Sequence, residues 1–470
     1  MVEGNGWAAV GMAWTAAQWR RLRRARAATM VVFFFLALML AAWAPRIPQV
    51  KDALALGDGE LGLALLGAPV GAIVTLWGAG VLVSRLGSVP VIRFSLVAYA
   101  TFGLVIIAAT GPLSLFAALA LLSSASCALD LSANAQAAAV EHRFGRRIMM
   151  MVHAAWTAGA LVGAGLGAVA AAIELPLSIQ FSVLGALTVT GALPLTGWML
   201  RGDGSRESAS SDSVAFEAVV SEPVAFEVAT TVPATAATAA TAVTAVTAVT
   251  ARALLPFAPL SVIAFASFLG EGAAADWSAV YLTDVTGASA GVAGIGYVAF
   301  MACMLVVRLV GDRAVETFGV RRVVRPLAFT AAGMFGLALV SGATRAGTAL
   351  GIIGFAVLGA GLACVIPAAF SAAARAASFV GLPAGAVIAV VSSVGYAGWL
   401  TGPALIGGLA ELVGLHGAMW SVVAFTCAIA LFAGRLTGPT RSSWISGEPG
   451  ASAPSGRPGP PGPQSSAEVP

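Results

Sequence analysis

Four polar residues recur at helical spacing inside one long apolar run: Ser123, Ser126, Asp130 and Asn134. Residues three and four apart share a helical face, so all four look the same way. Counted from Glu141 at about 1.5 Å per residue, Asp130 lies roughly 16 Å deep, near the midplane of a hydrocarbon core about 30 Å thick. Ionisable groups at that depth are expensive and mark transport or proton pathways. A carboxylate there can take up and release a proton during transport, or serve as a structural acid hydrogen-bonded to a neighbouring helix.

A second apolar run offers Glu271 between Gly270 and Gly272, followed by Asp276 and Trp277. Paired glycines permit a bend or break, a device that exposes backbone near a transport site. Glu271 then lines a cavity or makes a packing-level hydrogen bond, and Asp276 and Trp277 read as interfacial anchors. Arg46, between two prolines in "WAPRIP", can attract an anionic substrate, pair with Asp276 or simply stay solvated. His153, three residues before Trp156, is a structural histidine or a second cavity group.

The elements that position these groups follow from composition. Hydrophobic residues make up 59% of the 470 and charged residues 10%, against about 25% charge in a soluble domain. Most of the surface therefore faces lipid. Apolar runs long enough to cross a bilayer occur at about 27–47, 60–84, 89–110, 112–140, 148–172, 177–200, 255–283, 290–311, 323–342, 348–374, 380–410 and 415–436. Those twelve runs predict an all-α membrane protein of twelve transmembrane helices. The net charge of +4 does not signal nucleic acid, because the arginines are spread over short connections rather than one face. Cys127, Cys303, Cys364 and Cys427 lie inside apolar runs without metal-ligand or CxxC spacing and read as reduced, small hydrophobes. "GDGELG" (57–62) and "GASAG" (287–291) match soluble-enzyme motifs without the strands those motifs need. With no Walker sequence either, neither an enzyme nor an ATP-driven pump is expected, and no cofactor or metal.

Basic residues set the orientation. With the N-terminus in the cytoplasm, 22 of the 25 fall inside, leaving Arg46, Lys51 and Arg345 outside. The chain then divides into a basic cytoplasmic arm (1–26), a first six-helix bundle (27–200), a low-complexity cytoplasmic linker (201–254), a second six-helix bundle (255–436) and a Pro/Gly-rich tail (437–470). Linker and tail are expected to be disordered.

Between the eighth and ninth spans stands "RLVGDRAVETFGVRRVVR" (308–325), with seven charges: Arg308, Asp312, Arg313, Glu316, Arg321, Arg322 and Arg325. A weaker echo, "GAGVLVSRLGSVPVIR" (78–93), lies between the second and third. Aligning Gly87 with Gly319 gives an offset of 232 residues, which roughly maps one half of the spans onto the other. This is a parallel internal repeat, hence two pseudo-symmetric six-helix bundles. Charges at the ends of neighbouring helices can pair in one state of a transporter and separate in the next, or can only fix topology.

Here the chain resembles the major facilitator superfamily, whose signature Gly-x-Leu-x-Asp-Arg-x-Gly-Arg-Arg stands in these two connections. Gly80, Leu82, Arg85 and Gly87 match the first copy, and Gly311, Asp312, Arg313, Gly319, Arg321 and Arg322 the second, with Glu316 in an acidic slot. The resemblance implies a secondary transporter with one cavity between the bundles and a cytoplasmic gate at these residues. "WAPRIPQVKDALALGDGELGLALL" (43–66) and "GEGAAADWSAVYLTD" (270–284) are also similar to a sugar-permease-like bacterial group. "GALVGAGLG" (159–167) supplies small residues for close helix approach. It lacks the Gly-Pro pattern of the superfamily's drug–proton antiporters, which sets efflux behind uptake.

The expected function is proton-coupled uptake of a small polar metabolite or sugar by a monomer in the plasma membrane, with substrate, protons and the lipid bilayer as partners. Proton-coupled efflux of an amphipathic or toxic compound is the alternative, and a non-transporting membrane sensor the reading from another class. Reporter fusions at residue 230 and at the C-terminus should both report cytoplasm. A periplasmic signal from either would overturn the twelve-span topology.

Overall fold

In a bilayer every backbone N–H and C=O must find its partner within the protein, and a helix does so inside one segment. The computed structural model describes residues 16–144, 148–200, 255–379 and 384–437, and its regular elements are all helical. The expected linker and most of the expected tail lie outside the described residues. Eleven helical stretches are long and apolar enough to cross a membrane, and a twelfth, Trp420–Leu436, is apolar but shorter.

In chain order, span 1 is Ala16–Ala41, prolonged by a 3-10 turn Ala44–Arg46 and a short helix Ile47–Ala53. Span 2 is built from Asp58–Leu65 and Gly67–Leu86, followed by span 3 (Ser88–Val105), span 4 (Pro112–Phe144), span 5 (Met149–Ala172) and span 6 (Leu177–Ala192). The second half holds span 7 (Ala258–Asp284), span 8 (Ala290–Phe318), span 9 (Val320–Ser341) and span 10 (Gly347–Leu362 with Val365–Phe379). Gly414, at φ 73° and ψ 159°, interrupts Ala384–Ala418 and separates span 11 from span 12, which continues through Trp420–Phe432. The first helix begins before its apolar run, so Arg20–Arg26 stand on its opening turns.

Backbone geometry carries the repeat. Spans 2 and 3 are linked by the single residue Gly87 (φ 82°, ψ 163°), and spans 8 and 9 by Gly319 (φ 83°, ψ 146°). Positive φ is cheap only for glycine, so the two signature glycines make the same abrupt turn. Helix pairing repeats as well. Span 1 packs on 5, span 2 on 4 and span 3 on 4 and 6, while 7 packs on 11, 8 on 10 and 9 on 10 and 12.

Lipid supplies no hydrophobic drive between helices, so close approach depends on small residues. On span 5, Gly159, Gly163 and Gly167 lie one turn apart, and a Cβ at any of them would fall on the backbone of Phe34, Leu38 or Ala42 in span 1. In the second half Gly398 meets the backbone of Phe265 in span 7 in the same manner.

The two halves meet along span 5 against span 8, and along the first helix of span 2 against span 11. Gly294 packs on Ala168 and Pro45, and Gly62 on Pro403 and Gly407. Two polar links cross between the halves among the described residues. Lys51 donates to Asp284, and the Gly59 N–H to Glu411 Oε1 at 2.8 Å. All of these lie at the face opposite the one bearing the basic helix ends. The molecule is therefore closed at that opposite face.

Gly163→Ala should lower thermal stability by about 1–3 kcal/mol, the usual cost of overpacking. Gly165→Ala, where a Cβ meets nothing within 4 Å, should be neutral or gain about 0.5–1 kcal/mol from helix propensity. Melting curves of the purified variants check this, and equal behaviour would refute the contact.

Candidate functional site

Span 4 does present Ser123, Ser126, Asp130 and Asn134 on one face, but their side chains have different employment. Ser126 donates to its own helix at Ser123 O (3.1 Å), and the Asn134 amide to Asp130 O (2.9 Å). Asp130 is left as the group with chemistry to spare. It is half-buried and forms no ion pair within 4 Å among the described residues. It lies within electrostatic reach of His153 on span 5 and of Tyr396 on span 11. His153 is exposed, donates from Nδ1 to Met149 O (3.0 Å), and stands 5.8 Å from the Phe33 ring.

Glu271 sits within an unbroken helix rather than at a bend. Its flanking glycines serve packing, since Gly270 faces Leu362 and Gly272 the Trp399 ring. Glu271 Oε1 and the Ser267 hydroxyl one turn earlier are both buried without a hydrogen-bond partner among the described residues. The nearest opposite charge is Arg308 on span 8, close enough to act on Glu271 through space but beyond ion-pair distance. Arg308, the first charge of the 308–325 stretch, stands inside span 8, whose helix runs on to Phe318.

A proline explains where that arginine points. Pro367 has no N–H to give to the carbonyl four residues earlier, and span 10 breaks between Leu362 and Val365. Arg308 Nε directs its proton to the freed Ala363 oxygen, at 3.4 Å. The signal was present as a proline inside an apolar run, although nothing in the chain order tied it to Arg308. Three aromatic residues complete the surroundings, also unseen in advance: Tyr297 near Glu271 and Asp276, Trp399 against Gly272, and Tyr396, stacked on Phe268 at 5.0 Å.

Asp276 and Trp277 are not interfacial anchors. Trp277 is fully buried, and Asp276 faces Tyr297 inside the second half. Arg46 neither pairs with Asp276 nor stays in solvent. It is 3% exposed and donates to Gln49 Oε1, Gln180 Oε1 and Leu175 O. These bonds tie the end of span 1 to the start of span 6 within one half, satisfying the charge with neutral acceptors.

At the basic face, Arg85, Arg313, Glu316, Arg321 and Arg322 are exposed, and none forms an ion pair with a described side chain. The Asp312 side chain lies outside those described. Gly80 borders open space, and Gly311 packs on Cys364. Arg321 and Arg322 line a cleft of about 550 Å³ with Arg325, Pro326 and Phe329. The described gate residues thus stand at helix ends without an ion pair among them.

Asp130 of the first half, without an ion pair among the described residues, and Glu271 of the second, with a more distant arginine, both lie within electrostatic range of Tyr396. Such an arrangement can bind a polar solute and exchange protons; no group of three or more metal-ligating residues occurs among the described residues.

No protein-family model matches the chain. It is 33% identical over 406 residues to the uncharacterised transporter y4wD of Sinorhizobium fredii, covering 85% of this chain and 95% of the relative. It is 30% identical over 405 residues to an uncharacterised MFS-type transporter of Yersinia pestis, covering 86% and 92%. Among solved structures, a point mutant of the nucleoside transporter NupG aligns with TM-score 0.64 and 12% identity over 87% of this chain and 99% of NupG. The D-xylose–proton symporter aligns with TM-score 0.62 and 13% identity over 89% and 98%. Relatives matched along nearly their whole length, two helical halves related by repeat, and the shared fold lead to one conclusion: the chain belongs to the major facilitator superfamily and is a multi-pass membrane transporter.

Proposed function

We propose that this transporter couples the proton gradient to uptake of a small polar solute of the sugar or polyol kind across the plasma membrane. One observation carries the reading. Tyr396 of span 11 lies within electrostatic range of both Asp130 and Glu271, which supports a reading in which acids from opposite halves address one shared space. A carboxylate at bilayer depth without a salt bridge is costly to leave charged, and taking up a proton relieves that cost. Asp130 is the proton carrier in this scheme, with His153 beside it. Glu271, with Arg308, Tyr297 and Trp399, receives the solute: the acid and the arginine suit hydroxyl groups, and the aromatic faces suit the C–H side of a ring. A proton symporter for a sugar shares the fold, which agrees with this chemistry.

The basic face is cytoplasmic in this reading, because 22 of 25 basic residues fall there under the twelve-span topology. Asp312, Arg313, Glu316, Arg321 and Arg322 of the second copy, with Arg85 of the first, form the cytoplasmic gate. The absence of any ion pair among the described side chains of Arg85, Arg313, Glu316, Arg321 and Arg322 fits a state closed outside and open inside. Rocking one half against the other then alternates access.

A screen of sugars, organic acids and toxic compounds in a deletion strain finds the solute, and proteoliposomes test the coupling. Asp130→Asn keeps shape and hydrogen bonding but cannot release a proton. It should abolish accumulation driven by a pH gradient and spare exchange between equal pools. Glu271→Gln should raise the apparent KM several-fold and leave coupling in place. Accumulation at the wild-type level in Asp130→Asn would refute the coupling role, and accumulation only on reversing the gradient would favour efflux.

A further inference from the structure

The closed face is held by groups unlike those expected at the basic face. Lys51, on the short helix after span 1, is the hub. Its Nζ lies 2.5 Å from Asp58 Oδ1, at the start of span 2, and 2.5 Å from Asp284 Oδ2, at the end of span 7. The first partner belongs to the same half and the second to the other. The Lys51 side chain is 12% exposed, against 21% for Asp58 and 31% for Asp284. It is therefore more shielded than an ordinary surface pair, whose contribution is near zero. Around it the two halves touch through Gly62, Gly407, Gly294 and Ala168, small apolar surfaces that fit but carry no charge preference.

We propose that Lys51 is a two-partner latch that sets how often the transporter is closed at this face, with Asp284 as its strike and Asp58 as its resting partner. In the closed state Lys51 serves both acids. When the halves part, the bond to Asp284 is lost and the bond to Asp58 remains, so opening strands no bare ammonium. Asp58 therefore weakens the latch while Asp284 makes it. The two carboxylates touch the same nitrogen, and their removal acts in opposite directions. Neutralising Asp284 removes the cross-half bond and favours opening. Neutralising Asp58 leaves Asp284 as the sole counter-ion, makes parting costlier and favours closure. A merely structural salt bridge would lose stability in both cases without this difference of sign.

The test uses the full-length protein in nanodiscs, with the four native cysteines replaced and spin labels at Glu174→Cys and Arg345→Cys. Both sites are exposed loop positions at this face, one in each half. Pulsed electron–electron resonance distances read the fraction with the face open, and no substrate is required. Asp284→Asn and Lys51→Gln should each raise the open-to-closed ratio about tenfold, equivalent to ~1.4 kcal/mol. Asp58→Asn should lower it. Melting temperatures recorded alongside separate gating from damage, since a misfolded variant melts early and gives broad distances in every background. Should Asp284→Asn or Lys51→Gln fail to fold, the other still gives the sign opposite to that of Asp58→Asn, and Asp58→Ser replaces Asp58→Asn should that variant be the one that fails. Unchanged distances in Asp284→Asn, or Asp58→Asn moving the same way as Asp284→Asn, would overturn the latch. Because this readout needs neither solute nor pH gradient, its failure is distinct from failure of the proposed coupling.

Discussion

The close contact of span 5 with span 1, and of span 11 with span 7, is the constraint on which the rest of the molecule depends. Lipid surrounds the helices, so burial of apolar surface between them gains little over burial in acyl chains. What remains is dispersion at short range, and that requires the backbones to meet. Gly159, Gly163 and Gly167 achieve this in the first half, and Gly398 in the second. A helix pair joined through its backbones has no room for gradual sliding, since interiors at crystalline density switch rather than deform. Each half is therefore held as a packed unit, and the proposed alternation of access needs only rotation of one half against the other.

That freedom explains where charge is tolerated. Arg46 is satisfied within its own half by three neutral oxygen acceptors. The acids of spans 4 and 7 are left incompletely paired. Asp130 has no ion partner among the described residues, and Glu271 has an arginine only at a distance. Incomplete pairing is what a carrier needs, because a group fully satisfied in one state has no reason to leave it. The same economy shapes the two faces. At the basic face Arg85, Arg313, Arg321 and Arg322 are exposed and outside any ion pair with a described side chain, and the opposite face concentrates its polar contact on Lys51, shared between two acids.

Span 10 illustrates how one residue redirects a site. Pro367 removes a single helical hydrogen bond, the carbonyl of Ala363 becomes free, and Arg308 turns toward it from span 8. The arginine is thereby held inside the helical bundle, within electrostatic range of Glu271. The two glycines around Glu271, which suggest a hinge, serve instead as flat surfaces for Leu362 and Trp399. A glycine pair permits a bend; neighbours decide whether the bend occurs.

The sequence by itself determined the membrane environment, the helical class, the repeat and the turn glycines. Each of these depends on composition or on residues near one another in the chain: apolar length, the imbalance of arginines, and the backbone freedom of Gly87 and Gly319. The polar face of span 4 was legible for the same reason, as helical spacing is a local property. Only the tertiary structure decided which polar groups meet. Trp277 in the core, Arg46 on the loop before span 6, Tyr396 within electrostatic range of two acids, and Lys51 joined to a residue 233 positions away all depend on how helices distant in sequence pack. Helical periodicity tells which residues share a face, but it carries no information about the helix that the face will meet.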